Sequence, residues 1–373
     1  MKIAVNARML SQRKPGGIPE FSYQTLLRLT RDHAEHDFLF IVDRPFPGKS
    51  DFPANVSAVR TIPSYHPLLW YPWFEVAVPA ILRGYKPDLF LSTDGYATLS
   101  SKVPTALVVH DLSFHHRPED FPLPHRVYMN HFFPRFVRRA RVLATVSEYS
   151  KQDLARTYGL SPDKITVVHG AADDRFHPLS SPEKDAATRE LTGGAPYFLY
   201  IGLMHPRKNL VRLLQAYDRF RSSWAGLVKL VLAGPGLFKT GEMYRTWRHM
   251  AFREDVVFLG MVPRERLAKV YGAATAFLYV SSFEGFGLPV LEAMACGVPV
   301  IASGGTSLPE VCGDAALLVD PGSVESISGA IGALSSDPGL GRVLAERGLE
   351  RTKRFTWDET AQRLWGAIEK VRP

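Results

Sequence analysis

Short apolar runs bounded by Gly, Pro, Asp or Asn alternate with segments whose apolar residues recur every three or four positions. The first pattern reads as buried strands and the second as amphipathic helices. In the first half, strands are predicted at Ile3–Ala7, Phe38–Val42, Asp88–Leu91, Thr105–Val109, Val142–Val146 and Ile165–Val168. Helices are predicted over Glu20–Arg31, Trp73–Leu82, His125–Ala140 and Tyr149–Tyr158. After His169 the periodicity stops, and the Asp-, Pro-, Ser- and Gly-rich stretch from Ala171 to Pro196 reads as a linker with one short helix near Glu183–Leu191. A second series follows, with strands at Tyr197–Gly202, Lys229–Ala233, Val256–Leu259, Ala276–Val280, Pro299–Ala302 and Ala316–Val319. Its last helices are expected near Val324–Ser335, Gly339–Arg354 and Trp357–Val371.

Such alternation predicts an α/β protein built of parallel sheets wrapped by helices, here two doubly wound domains facing each other across a cleft. The expected divisions are residues 1–175, a linker at 176–196, and 197–373, with a return of the last helix to the first domain left open. The 373 residues agree with this, since a single core seldom grows that large and two domains of roughly 150 to 200 residues fit.

Composition narrows the setting. Apolar residues make up 46% and charged residues 22%, as in an ordinary globular protein. The apolar run after Met1 is too short for a signal peptide, and nothing approaches the roughly 18 to 20 apolar residues of a membrane span. With two cysteines, Cys296 and Cys312, in core-like segments, a reduced cytoplasmic location is expected. The formal charge of +8 implies an acidic partner, whether nucleic acid, anionic lipid or a small anionic substrate. No zinc-ligand spacing, nucleic-acid motif or basic tail stands out, so nucleic acid is not expected.

Five segments carry candidate chemistry. In Ser281-Ser-Phe-Glu-Gly-Phe-Gly-Leu-Pro-Val-Leu-Glu292, two carboxylates flank a glycine turn that opens a helix. Gly285 and Gly287 let backbone approach a ligand, Pro289 suits the first helical turn, and a helix N-terminus attracts phosphate. Glu284 precedes the helix and Glu292 lies about one turn inside it, so the two can reach different parts of one ligand; the alternative is a pair of solvated carboxylates. In Gly202-Leu-Met-His-Pro-Arg-Lys-Asn209, Arg207 and Lys208 stand at a strand-to-helix turn. Cations are disfavoured by the dipole there, so their position points to an anionic ligand.

Arg13-Lys-Pro-Gly-Gly-Ile18 follows the first strand, where Gly16 and Gly17 could bring N–H groups against a phosphate or sugar, or form a simple flexible turn. His110-Asp111 closes the strand Thr105–Val109, and His110 is either a sugar-binding or proton-shifting group or a structural one. His115 and His116 lack a third ligand for a metal. Finally, His66-Pro-Leu-Leu-Trp-Tyr-Pro-Trp-Phe74 and the arginine-rich run Arg126–Arg139 mix aromatics with cations. They suit contact with an anionic membrane or a core helix with a basic rim, with Pro134 expected to interrupt the face.

Taken in order, the chain resembles a retaining glycosyltransferase of family 4, with the GT-B architecture of two Rossmann-like domains. The likeness rests on Gly16-Gly-Ile18, His110-Asp-Leu-Ser-Phe114, Thr145-Val-Ser-Glu-Tyr-Ser150, Pro206-Arg-Lys-Asn209, the E-x7-E pair Glu284 and Glu292, Leu308-Pro-Glu-Val311 and Gly313-Asp-Ala-Ala316. The wording of the His110 and Pro206 motifs is similar to mannosyltransferase-like members.

The resemblance implies transfer of a hexose, mannose favoured, from a nucleoside-diphosphate sugar, GDP-mannose favoured, to a glycan or lipid-linked acceptor, with no cofactor and no metal. It further implies that Glu284 holds hydroxyls of the transferred sugar with the backbone of Gly285, Phe286 and Gly287. Glu292 would take the ribose, Leu288 N–H would lie near the diphosphate, and Arg207 and Lys208 would neutralise it. Gly17 would approach from the first domain, and His110 would lie beside the sugar. Many relatives carry an arginine after the glycine of the second domain's first strand, and here Leu203 stands there. A nucleotide-sugar 2-epimerase of the same architecture, or a non-catalytic sugar-nucleotide-binding subunit, remain the alternatives.

Overall fold

The computed structural model describes residues 1–11, 16–236 and 240–371. It divides into two compact units, Met1–Gly170 with Thr356–Pro373, and Ala171–Phe355.

In the first unit seven parallel strands, β1 (Lys2–Asn6), β2 (Asp37–Val42), β3 (Val56–Arg60), β4 (Leu89–Ser92), β5 (Thr105–Val109), β6 (Val142–Thr145) and β7 (Ile165–Val167), run in the order β3-β2-β1-β4-β5-β6-β7. Every residue of β4, β5 and β6 is buried, because helices cover both faces and leave no polar side to alternate with. The edge strand β3 escapes prediction because Ser57, Ala58 and Arg60 are exposed, which removes the apolar run. It is specified instead by register against β2, with Phe38 opposite Val56 and Val42 opposite Arg60.

Two helical segments differ from expectation. The predicted helix Trp73–Leu82 is the middle of a longer broken one: Pro67–Pro72, a π-type turn at Trp73–Ala77, then Val78–Tyr85. Pro72 cannot donate to the preceding turn, and the wider turn absorbs the defect. By contrast, the helix Leu123–Arg139 runs straight through Pro134. Its side of the helix is wet there, with Asn130 and His131 exposed, so water can serve the Asn130 carbonyl that Pro134 cannot reach.

The last helix, Trp357–Glu369, joins the first unit. It packs on helix Gly17–Asp32: Trp357 meets Phe21 edge-on at 5.8 Å, Trp365 stacks on His33 at 3.8 Å, and Arg28 Nε binds Asp358 at 2.6 Å. Residues 176–196, expected to link the units, belong instead to the second. Phe176 packs on Tyr271 at 5.6 Å, and helix Ser181–Thr192 starts with a reciprocal Ser180–Glu183 capping box.

Six parallel strands form the second unit's sheet: β8 (Tyr197–Ile201), β9 (Lys229–Ala233), β10 (Val256–Gly260), β11 (Ala276–Tyr279), β12 (Val300–Ser303) and β13 (Ala316–Val319), in the order β10-β9-β8-β11-β12-β13. The order in which strands are added reverses once in each sheet, between β1 and β4 in the first and between β8 and β11 in the second. At such a switch point the two loops leaving the carboxyl ends diverge and open a crevice, where ligands of doubly wound sheets sit.

Candidate functional site

The second unit's switch point explains why distant sequence motifs meet. β8 and β11 are neighbours, with Ala276 opposite Phe198, so the loop after β8 and the loop after β11 lie side by side. The first carries Arg207 and Lys208, and the second carries Glu284. Arg207 Nη1 donates to Glu284 Oε2 at 2.9 Å and to the Phe283 carbonyl at 2.8 Å, while Lys208 Nζ reaches Glu284 Oε1 at 2.5 Å and Tyr279 Oη at 2.6 Å. Backbone ties the loops together as well, through Ser282 N–H to the Arg207 carbonyl at 2.8 Å.

Both cations therefore share one carboxylate, an arrangement that sequence spacing did not disclose. Arg207 and Lys208 sit in a tight turn, Pro206–Lys208, between β8 and helix Leu210–Ser223. His205 caps that turn by accepting from Arg207 N–H, and Asn209 takes the left-handed conformation (φ 61°) that separates turn from helix. The Asn209 amide fixes the junction by donating to the carbonyls of Val280 (3.0 Å) and Pro321 (2.7 Å).

Glu284 and Lys208 are 6% and 7% exposed, so their charges are held largely away from water. Burial alone would raise the Glu284 pKa, but the charges of Arg207 and Lys208 outweigh it and hold the carboxyl down to about 2. Burial, then the Glu284 charge, push Tyr279 well above an ordinary phenol, so it stays a neutral hydroxyl beside Lys208.

Downstream, Gly285, Phe286 and Gly287 lead into helix Leu288–Ala295. Gly287 caps it at φ 117°, and a Cβ there would fall 2.5 Å from Leu308 Cδ2, so only glycine suits the position. The turn is pinned by Ser307 Oγ, which donates to the Glu284 and Phe286 carbonyls at 3.0 and 2.9 Å. Glu292, half-buried one turn on, accepts from Tyr271 Oη at 2.7 Å. The two glutamates thus have different partners.

The first unit holds the remaining candidates. Gly16 and Gly17 are exposed at the start of helix Gly17–Asp32; Gly16 is extended (φ 179°), a conformation open to any residue. Arg13, named with them in the sequence motif, lies outside the described residues. His110 follows β5; its Nε2 donates to the Thr93 carbonyl at 2.7 Å, and its ring meets Phe21 edge-on at 5.0 Å. Burial lowers its pKa below the usual imidazole value, so the ring is neutral, with Nδ1 carrying the lone pair.

The first sheet's own switch point holds a second cluster, whose pairing the sequence spacing did not disclose. Asp94, after β4, accepts from Arg8 Nε (2.6 Å) and Asn6 Nδ2 (2.8 Å), and the Arg8 guanidinium lies over the rings of Tyr96 (4.4 Å) and Phe74 (4.9 Å). The signal was present: Asn6 and Arg8 are polar groups closing an apolar strand, which a core tolerates only with buried partners. Among the described residues no group of three or more His, Cys, Asp or Glu side chains converges to hold a metal ion.

Two doubly wound parallel sheets in two compact units place the chain in the class of two-domain Rossmann-like α/β proteins. The family model for "Glycosyltransferase Family 4" matches residues 15–176 and that for "Glycosyl transferases group 1" matches residues 182–351. The chain is 34% identical over 279 residues to the O-antigen chain mannosyltransferase B of Escherichia coli, spanning 74% of this chain and 73% of that protein. It is 26% identical to the O-antigen chain mannosyltransferase RfbU of Salmonella typhimurium over 75% of this chain and 74% of that one. HepE of Anabaena, solved with UDP and glucose, superposes with a TM-score of 0.77 over 99% of both chains at 18% identity, which establishes the shared GT-B fold. The chain belongs to glycosyltransferase family 4.

Proposed function

We propose that the protein is a cytoplasmic, retaining hexosyltransferase that moves mannose from GDP-mannose to a glycan or lipid-linked acceptor without a metal or other cofactor. The observation that carries the reading is the bridge Arg207–Glu284–Lys208 beside the glycine-led helix start at the second switch point. The preference for mannose is supported by the relatives from Escherichia coli and Salmonella typhimurium, both named as O-antigen chain mannosyltransferases.

Bond cleavage places growing negative charge on the departing diphosphate. Arg207, as a planar fork, and Lys208, as a compact point charge, meet it, together with the N–H groups at Leu288. As the diphosphate takes over the two cations, Glu284 is released to accept hydroxyls of the transferred sugar, with the Gly285, Phe286 and Gly287 backbone alongside. Glu292 takes the ribose hydroxyls, exchanging its bond from Tyr271. Gly16, Gly17 and His110 are assigned donor-binding roles by family likeness.

A thermal-shift panel of GDP-, UDP-, dTDP- and ADP-sugars tests the reading. The true donor at 100 times its dissociation constant adds roughly 2.7 kcal/mol of stability. The expected result is the largest shift with GDP-mannose and release of GDP only when an acceptor is added. Membership of a transferase family favours transfer over epimerisation; a free epimer of the nucleotide sugar formed without acceptor would reverse that, and no shift with any nucleotide sugar would remove the donor site altogether.

A further inference from the structure

Seven of the eleven exposed large hydrophobic side chains among the described residues fall within residues 62–76 and 123–127 of the first unit. Tyr65 is 71% exposed, Leu68 70% and Leu123 66%, with Tyr71, Val76 and Val127 each more than half exposed. The segments form one surface, since Trp70 packs against Tyr128 and His125 at 5.3 and 5.2 Å and Tyr71 lies 5.9 Å from Phe132. A contiguous apolar patch of this kind on a soluble domain marks a contact surface.

The charge beside it is one-sided. Residues 121–147 contain five arginines and no Asp or Glu. Residues 60–87 hold a single acid, Glu75, which is buried and accepts from Leu99 N–H (3.0 Å) and the Ser100 hydroxyl (2.6 Å). Along helix Leu123–Arg139, Leu123, Val127, His131 and Arg135 follow at four-residue steps and are all exposed, as is Arg138, so one stripe passes from apolar to basic. Arg139 is committed elsewhere, to the carbonyls of Leu99 and Ser101.

We propose that this face docks onto the surface of an anionic lipid bilayer, with Tyr65, Leu68, Leu123 and Val127 entering the headgroup region and Arg135 and Arg138 on lipid phosphates. No helix of the described residues is long and apolar enough to cross a membrane, so the contact is with one surface. A second copy of the chain fits worse, because a two-fold contact would set cations against cations with no exposed carboxylate in either segment to answer them. A bilayer supplies apolar depth and anionic phosphate together.

The test is co-sedimentation of the full chain with vesicles of phosphatidylcholine alone or mixed with phosphatidylglycerol, in the absence of any sugar nucleotide. Binding to the mixed vesicles alone, weakened by salt, is expected. Leu68→Glu with Leu123→Glu lowers it by roughly tenfold or more, and neutralising Arg135 or Arg138 to Gln by about fivefold each. Melting temperature and the donor-induced thermal shift stay unchanged in these variants, which separates failure of docking from failure of the donor site. Equal or absent binding to both vesicle types overturns the proposal. So does a dimer in sedimentation velocity that Leu68→Glu dissociates while vesicle binding is absent.

Discussion

The Lys208 ammonium lies 2.5 Å from one oxygen of the Glu284 carboxylate, and both groups are almost fully withdrawn from solvent. They come from loops 76 residues apart in sequence that the order of β8 and β11 sets side by side. With Arg207 on the second oxygen, the pair is a preassembled cluster whose cations can change partner when an anionic ligand enters.

The pH dependence of stability follows from this contact. Glu284 is held at about 2 against an ordinary 4.5. Since its folded pKa is the lower, its stabilisation is complete above about pH 4.5 and drains away as pH falls toward 2, a total of about 3 kcal/mol. Glu284→Gln is therefore expected to be less stable than wild type at pH 7, with the gap closing between about pH 5 and about pH 2. Urea unfolding of both proteins across that range checks it, and a gap independent of pH speaks against the assignment.

Lys208→Ala separates chemistry from binding. Glu284 keeps Arg207 as a partner, so the fold persists, while on the proposed mechanism the charge growing on the leaving diphosphate loses one of its two cations. Loss of a preorganised donor of this kind lowers kcat by about 10²- to 10³-fold. KM for the donor changes much less, because the lost contact strengthens in the transition state. Steady-state kinetics with GDP-mannose, alongside a melting curve, measures both; unchanged kcat in a folded protein removes Lys208 from the mechanism.

Two glycines of the donor motifs respond differently. At Gly287 a new Cβ meets Leu308 Cδ2 at 2.5 Å in a left-handed conformation, whereas at Gly16 the nearest contact is Pro19 Cδ at 3.5 Å in extended backbone. Gly287→Ala is expected to destabilise the protein by about 1–3 kcal/mol and abolish the donor shift. Gly16→Ala leaves the melting temperature within error. Differential scanning calorimetry of the two variants distinguishes them.

How far this was legible in the sequence depended on whether a feature is local. Strands such as β5 and β9 were read to the residue because buried parallel strands are continuous apolar runs. β3 was not, since an exposed edge is specified by its neighbour rather than by its own residues. The same limit applied at the site. Arg207, Lys208 and Glu284 were each visible as motif residues, but their mutual pairing is a product of strand order, which no spacing encodes. Asn209, Tyr279 and Ser307, which lock the loops, are ordinary residues until β8, β11 and the turn at Thr306 are in place.

The Arg8–Asp94 pair offers a test of what holds the first switch point. Asp94 also accepts from the Ser92 hydroxyl at 3.0 Å and the Tyr96 N–H at 3.2 Å, and both charged residues are buried. Asp94→Ala strands a guanidinium among aromatic rings and costs about 3–5 kcal/mol. The double variant Arg8→Met with Asp94→Ala is expected to be more stable than Asp94→Ala alone, because no unpaired charge is left inside. Chemical denaturation of the two single variants and the double variant gives the coupling energy, and strict additivity would show that the two side chains act independently.

His110 provides the last test. Burial depresses its pKa even though the Thr93 carbonyl, accepting from Nε2–H, pulls the other way. The folded value thus lies below the unfolded one. The neutral ring's contribution to stability is whole above the ordinary imidazole pKa of 6.5 and is lost only as pH falls through the lower folded value. In nitrogen-detected NMR, His110 is expected to keep the Nε2–H tautomer from pH 8 to below pH 6.5. His110→Phe preserves the edge contact with Phe21 but orphans the Thr93 carbonyl, a loss of about 1–3 kcal/mol. If His110 also lies beside the transferred sugar, the variant loses kcat beyond what its residual folded fraction explains. A midpoint at or above 6.5 for His110 would show that burial does not govern the ring's titration.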